Sequence, residues 1–358
     1  MNNNNNTTHT RMVKRKRKRK LRKRALFILI PVLIAFLGIL SYGTYLYTKA
    51  DSVLSNSYED DGRDKSDLRE EKVDPSSDNV SVLILGVDEN DHRENSGNSR
   101  TDTIMLATLN IKDKSVKLVS IPRDTYVYIP EVGYETKINH AHAYGGPHAT
   151  IETVESLLDI PVDYYVRVNF HAFVDVVDSL NGITVEVPYE FRESNSMDKR
   201  DAIHLLAGEQ VLDGEEALAL ARTRKLDNDI QRGKRQQDII KAIVNKAVSV
   251  NSILKYDNII DAIGENLATN MSFGEMKSFI SYGTSGSGID IESLTLEGYD
   301  YQPAGTYYWQ LDEVALTETK TLLKDHLEVK GDLINSTVDN DNVNQNAAEA
   351  QNESAHPY

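Results

Sequence analysis

The sequence predicts a layered α/β body held behind one transmembrane helix, and three observations carry that expectation. Residues 25–47 form an uncharged, mostly apolar span directly after a dense basic run. Beyond residue 79, short β-type runs alternate with segments of helical apolar period. The chain has 358 residues and no cysteine, so the body must hold together by burying a core rather than by disulfides or thiolate metal sites.

Residues 1–10 are rich in Asn, and residues 1–24 carry 11 Lys and Arg and no Asp or Glu. The apolar span that follows, Ala25 to Tyr47, extends about 35 Å as a helix, enough to cross a bilayer. Tyr42, Tyr45 and Tyr47 stand at its far end as an interfacial belt. Basic residues before the span predict a cytoplasmic tail at 1–24 and an outer body, with the helix retained as an anchor rather than cleaved as a signal peptide. Residues 51–358 hold 28 basic against 55 acidic groups, a balance of −27. So acidic a body excludes nucleic acid as a partner for a broad surface; any anion must be met by a local arginine cluster.

Residues 48–78 are polar and charged without periodicity and read as a linker. Val80 to Gly86 reads as a buried strand whose carboxyl end delivers Asp88. Thr103–Leu109 and Val116–Ile121 read as a hairpin through Asn110–Lys114. In an antiparallel pair the start of one strand lies beside the end of the next, so Arg100 and Asp102, before the first, and Arg123, after the second, are expected in one place. Lys137 to Tyr144 leads into Gly145, Gly146 and Pro147, then a helix from about 148 to 158. A strand near 164–169, a helix near 172–180 stopped by Asn181-Gly182, and a strand at 183–187 follow. Further helices are expected at about 231–249, 257–268, 273–282 and 311–326, with a strand near 294–297. Residues 335–358 have the polar, Asn- and Asp-rich composition of a disordered tail.

The densest chemistry lies at 217–237. A small apolar helix runs into Arg222 and Arg224, two residues apart; in an extended exit both point to one side and form a two-guanidinium clamp. Asp229, Arg232 and Gln236 stand at i, i+3 and i+7 on one helical face, opposite Ile239, Ile240 and Ile243. The planar fork of arginine matches a pair of phosphate oxygens, so the cluster points to a phosphate-bearing ligand. Asp88 and Asp102, at strand ends beside Arg100 and Arg123, suit a hard cation shared with ligand phosphates, and Mg²⁺ favours that arrangement. His140, His142 and His148 are spaced so that a strand would place the first two on one side, a weaker candidate for a transition metal.

These motifs together resemble a known family. Gly-Val-Asp ending at Asp88, Arg-Thr-Asp-Thr at 100–103, Ile-Pro-Arg-Asp at 121–124, Lys-Ile-Asn with Ala-Tyr-Gly-Gly at 137–146, Leu-Asp-Gly-Glu-Glu-Ala-Leu at 212–218 and Ala-Arg-Thr-Arg with Asp229, Arg232 and Arg-Gln-Gln at 235–237 look like the LytR-CpsA-Psr family, in order over about 79–250. The resemblance implies a three-layer α/β/α sandwich around a mixed central sheet, spanning 79–334 as an extracellular catalytic domain of the Gram-positive envelope. It implies a phosphotransferase that moves a teichoic acid or capsule-type glycan from a polyprenyl pyrophosphate carrier to peptidoglycan. Carried over by motif, Asp88 and Asp102 bind Mg²⁺. Arg100, Arg123, Arg222, Arg224, Arg232 and Gln236 hold the pyrophosphate, with Arg123, Arg222, Arg224 and Asp229 at the chemistry. The readings set against it are a lipid-pyrophosphate phosphatase and a non-catalytic wall regulator or adaptor.

Overall fold

The structure is a computed structural model, and it describes residues 9–87, 99–225, 228–248, 260, 264, 267–283 and 289–329. In chain order the elements are α1 (His9–Asn56), β1 (Val80–Val87), β2 (Thr101–Asn110), β3 (Ser115–Ser120), β4 (Tyr126–Ile129), β5 (Tyr134–Lys137), α2 (His140–Leu158), β6 (Tyr164–Asn169), α3 (Phe170–Ser179), β7 (Ile183–Val187), β8 (Phe191–Glu193), β9 (Ile203–Leu205), β10 (Gly208–Leu212), α4 (Gly214–Arg222), α5 (Asp229–Ala247), β11 (Leu267–Thr269), α6 (Phe273–Gly283), β12 (Asp290–Thr295), β13 (Gly298–Tyr301), β14 (Tyr308–Leu311) and α7 (Glu313–Leu327).

Six strands form the central sheet in the order β11-β6-β1-β2-β3-β12. It is mixed: β1 runs antiparallel to β2 and parallel to β6, while β12 joins β3 in parallel at one edge. The alternation of side chains along each strand separates two layers. On one face Leu83, Leu85, Ile104, Leu106 and Val119 pack with Ile151, Val154 and Leu158 of α2 and Leu323 and Leu327 of α7, all essentially out of contact with solvent. On the other, Met105, Ala107 and Leu118 face Ile240 of α5, and Val80 and Val82 face Met276 and Phe279 of α6. The expected sandwich of helix, mixed sheet and helix is present.

Local signals explain most element ends. Asn169 caps α3 by accepting from the Ala172 amide at 2.9 Å. Asn181 and Gly182, with φ of 59° and 79°, end it, and the Gly182 amide donates back to Val177. Asp213 and Glu216 form a reciprocal capping box that starts α4.

Several expectations are corrected. The segment read as a linker at 48–78 is neither free nor wholly irregular. α1 continues to Asn56, and the chain beyond it is fastened to the body: Arg69 pairs with Asp163 at 2.6 Å, and Arg63 reaches Asp61 and Glu155 at 2.9 and 3.3 Å. Its charges find partially buried partners up to a hundred residues away, which local composition does not encode. His140 and His142 lie in the first turn of α2 rather than on a strand, because the chain turns at Asn139; they therefore point in different directions, His140 to Thr136 and His142 to the Ser99 carbonyl. Leu267 to Thr269, expected at a helix end, is an edge strand paired with β6; the rest of the helix expected at 257–268, like the tail at 335–358, falls outside the described residues apart from 260 and 264.

An arginine-rimmed cavity as the candidate active site

The second face of the sheet is filled only in part. Between it and α3, α4 and α5 lies a cavity of about 730 Å³, lined inside by Ile84, Met105, Val168, Phe173, Ile239 and Ile240 among other apolar groups. Its polar lining includes Asp102, Arg123, Arg222, Arg224, Arg232 and Gln236. These six residues lie up to 134 positions apart in sequence, from 102 to 236, and the fold brings them to one mouth.

Each rim residue has a local reason for its place. The β2–β3 pairing runs Met105 opposite Ser120, so Asp102 and Arg123 leave the hairpin side by side, and Arg123 donates to Asp102 Oδ1 at 2.5 Å. Gly214 sets α4 close against α3, since a Cβ there would lie 2.4 Å from the Val174 carbonyl oxygen. That contact fixes where the other end of α4 delivers Arg222. Thr223 then turns extended (φ −59°, ψ 140°), as the clamp requires, and Arg224 follows it to the same cavity. Gly233 brings α5 down onto β3, where a Cβ would meet Ser120 Oγ at 2.5 Å, and this seats Arg232 over the sheet. The α5 amino terminus, capped by Asn228, also turns its positive end toward the rim.

The electrostatics are those of a site awaiting an anion. Burial pushes the Arg232 guanidinium down; Asp229 opposes this, but Arg123 and Arg224 push it further, and the net shift is downward. Arg123 goes the other way: burial lowers it, but the charge and hydrogen bond of Asp102, helped by Asp124 and Asp229, carry it above the ordinary value. Asp229 stands between two arginines, 3.2 Å from Arg232 and 3.8 Å from Arg224. Arg222 lies with its guanidinium carbon 4.7 Å from the centre of the Phe170 ring and its Nη2 3.7 Å from Asp198, and among the described residues its buried Nη1 has no hydrogen-bond partner. A buried guanidinium N–H without an acceptor is costly unless a ligand supplies one.

Of the sequence-named site residues, Asp229 supports the rim, while Arg100 is exposed and does not line the cavity. Asp88 lies outside the described residues. Gln236 lines the cavity and donates to the Ala221 carbonyl at 3.1 Å. Sequence reasoning missed Phe170, Lys225 and Glu193 in the lining, and it missed two supports. Arg235 donates to the carbonyls of Leu220 and Thr223 at 3.2 and 2.5 Å, locking the exit of α4. Gln237 donates to Leu118 and Leu294 carbonyls, tying α5 to β3 and β12. Their position beside Gln236 in the Arg-Gln-Gln run was the only signal.

Among the described residues no group of three His, Asp or Glu side chains could by itself cage a metal ion. Of the two carboxylates in the lining, Asp102 and Glu193, Asp102 is 39 % exposed and lies against Arg123. That donor set fits a Mg²⁺ held by one or two carboxylates jointly with ligand phosphate oxygens, and it does not fit a transition metal held by protein alone.

An apolar cavity ringed by guanidinium groups, on an α/β/α sandwich behind an apolar amino-terminal helix, has the shape and charge of a site for amphiphiles with a phosphate-type head. The comparisons narrow the class. The LytR_cpsA_psr family model matches residues 44–325, and the chain belongs to that family. It is 43% identical over 302 residues to the polyisoprenyl-teichoic acid–peptidoglycan teichoic acid transferase TagT of Bacillus subtilis, covering 83% of this chain and 93% of TagT. It is 39% identical over 312 residues to the transferase TagU of the same organism, covering 86% and 97%. The solved structure of TagT (YwtF) with bound octaprenyl pyrophosphate lipid superposes with a TM-score of 0.61 at 40% identity, over 75% of this chain and 98% of the other.

Proposed function

We propose that this chain transfers a teichoic-acid-type glycan phosphate from a polyprenyl pyrophosphate carrier to a hydroxyl of peptidoglycan. The observation that carries the reading is the joining, in one cavity, of an apolar interior with a mouth of four arginines. Each methylene of a polyprenyl tail buried in the interior contributes about 0.8 kcal/mol. Each charge-assisted hydrogen bond from the rim to the pyrophosphate adds roughly 1.5–3 kcal/mol.

The reaction forms a bond from the acceptor oxygen to the glycan-bearing phosphorus and breaks the bond from that phosphorus to the bridging oxygen. Polyprenyl phosphate leaves, and the acceptor hydroxyl releases its proton. Arg222 and Arg224 grip the non-bridging oxygens, Arg232 is held on the same group by Asp229, and Arg123 is aimed by Asp102. Because the charge in a loose phosphoryl transition state sits on the equatorial and leaving oxygens, fixed guanidinium groups stabilise it without a covalent intermediate. Asp102, together with Asp88, would hold a Mg²⁺ jointly with ligand oxygens, and the ion would supply further neutralisation of the pyrophosphate. Of the described helices α1 contains the one candidate span for a membrane, Leu29–Asn56; the basic residues before it support an orientation with the amino terminus inside and the cavity on the wall side.

The test is reconstitution of the full chain with a radiolabelled polyprenyl pyrophosphate-linked teichoic glycan and purified peptidoglycan. Label fixed to peptidoglycan, with polyprenyl phosphate released, is the expected result. Release of free glycan phosphate without fixation means a hydrolase instead. Lipid pyrophosphate binding should tighten with Mg²⁺ in the wild type and not in Asp102→Asn.

A further inference from the structure

We infer that the tyrosine-paved ribbon beside the cavity mouth is the docking surface for the acceptor, an uncharged N-acetylated glycan strand of peptidoglycan, an assignment that rests on the transferase reading. Two hairpins build it. β4 pairs with β5, β13 pairs with β14, and the two are joined where Thr125 bridges Trp309 and the Trp309 amide donates to the Asp124 carbonyl at 2.8 Å. Alternation gives the ribbon an inner and an outer face. Val127, Ile129, Trp309 and Leu311 go inward to the main core. Outward go Tyr126 and Tyr128 from β4, Tyr299 and Tyr301 from β13, and Tyr308 from β14.

The outer face carries five rings and two charges, Lys137 opposite Tyr126 and Glu135 opposite Tyr128. Tyr126 contacts Tyr308 and Tyr301, with ring centres 4.8 and 5.6 Å apart, so three rings form one tilted cluster. Tyr299 and Tyr128 flank it, 57 % and 50 % exposed. Such rings lose little conformational entropy on binding and present a broad apolar face with a polar tip. A pyranose has matching chemistry: C–H groups on one face to stack on a ring, hydroxyls and amides at the edge to meet phenols and carboxylates. A polyanionic chain finds less here, since the one cation paired across β4 and β5, Lys137, is already held by Asp124 at 2.7 Å.

The ribbon is continuous with the site. Lys137 of β5 has its ammonium 5.8 Å from the ring centres of Tyr307 and Tyr308 and 2.7 Å from Asp124. Asp124 adjoins Arg123, which lines the mouth. A strand lying on the rings therefore brings a sugar hydroxyl to the side of the rim where the pyrophosphate is held.

The test uses the full chain in lipid nanodiscs, with peptidoglycan stripped of attached polymer as the probe. In Tyr299→Ser/Tyr301→Ser, binding to this peptidoglycan should weaken about tenfold, ~1.4 kcal/mol. The acceptor KM should rise to match with kcat little changed, while binding of polyprenyl pyrophosphate stays as in the wild type. Tyr299→Phe/Tyr301→Phe should retain binding. If the double Ser variant loses its cooperative melt, Tyr299→Ser alone is read, with a loss of about threefold expected. Peptidoglycan binding unchanged in the Ser variants overturns the inference, as does a loss confined to free anionic glycopolymer. A wild-type chain that binds peptidoglycan through these tyrosines but transfers nothing overturns the transferase reading and leaves the docking surface standing.

Discussion

The two faces of the central sheet are built from alternate residues of the same strands, yet they end differently. On the α2 and α7 side the apolar groups of β1, β2 and β3 meet partners and water is excluded. On the α3, α4 and α5 side, Ile84 and Met105 of the sheet and Ile239 of α5 line an open volume. The closed face holds the fold together, and the open face carries the proposed site. Interiors pack at near-crystal density by default, so a space this size calls for an explanation, and an amphiphile that completes the packing gives one.

That contrast is breakable by substitution. The largest effect is expected at the rim. Arg222→Ala with Arg224→Ala should lower transfer in reconstituted membranes by on the order of 10² or more, with the melting temperature little altered. Unchanged turnover would remove the open face from the chemistry. Next comes the closed face: Leu106→Ala should cost about 2–5 kcal/mol in denaturant unfolding while the folded fraction keeps its transfer rate. A smaller effect is expected from narrowing the cavity. Ala221→Phe should weaken binding of a long polyprenyl pyrophosphate about tenfold, ~1.4 kcal/mol, and leave a short-chain analogue unaffected. Equal binding of both would mean that the tail does not enter.

The mildest effect sharpens the comparison through pH. His326 of α7 lies on the closed face with Thr108 Oγ1 and Ser115 Oγ at 2.8 and 2.9 Å from its two ring nitrogens. Burial lowers its pKa, and nearby Lys117 lowers it further. A histidine held neutral in the fold takes up a proton more readily when unfolded. Its contribution to stability is therefore full above the ordinary histidine range and is lost as pH falls below that range toward the depressed folded value. Stability measured between neutral and mildly acidic pH should fall in the wild type, and this slope should shrink in His326→Gln.

How legible each region was follows from how local its signal is. The hairpin of β2 and β3, the β6–α3–β7 run and the start of α5 were readable because period, caps and turn residues lie within a few positions of what they specify. The meeting of Asp102 with Arg123 was readable for the same reason, since a hairpin alone puts them together. The clamp of Arg222 and Arg224 was readable from spacing, but its target was not. Only the tertiary packing of α4 against α3 through Gly214, and of α5 against β3 through Gly233, aims those arginines at the cavity. The cavity was illegible for a further reason: Ile239, Ile240 and Ile243 read as core residues, and nothing in an apolar period says whether the facing volume is filled. The ribbons of β4 with β5 and β13 with β14 went unread because strands of four residues carry too little alternation to stand out. The segment after α1 misled because Arg63 and Arg69 look solvated until Glu155 and Asp163 fold back onto them.

One binding measurement tests the central claim most directly. The purified full chain in nanodiscs is titrated with polyprenyl pyrophosphate and, separately, with the polyprenyl alcohol of equal length. The pyrophosphate is expected to bind more tightly by roughly a hundredfold or more, and Arg222→Ala/Arg224→Ala to erase most of that preference. Equal affinity for the alcohol and the pyrophosphate, or a preference indifferent to both arginines, would contradict the claim.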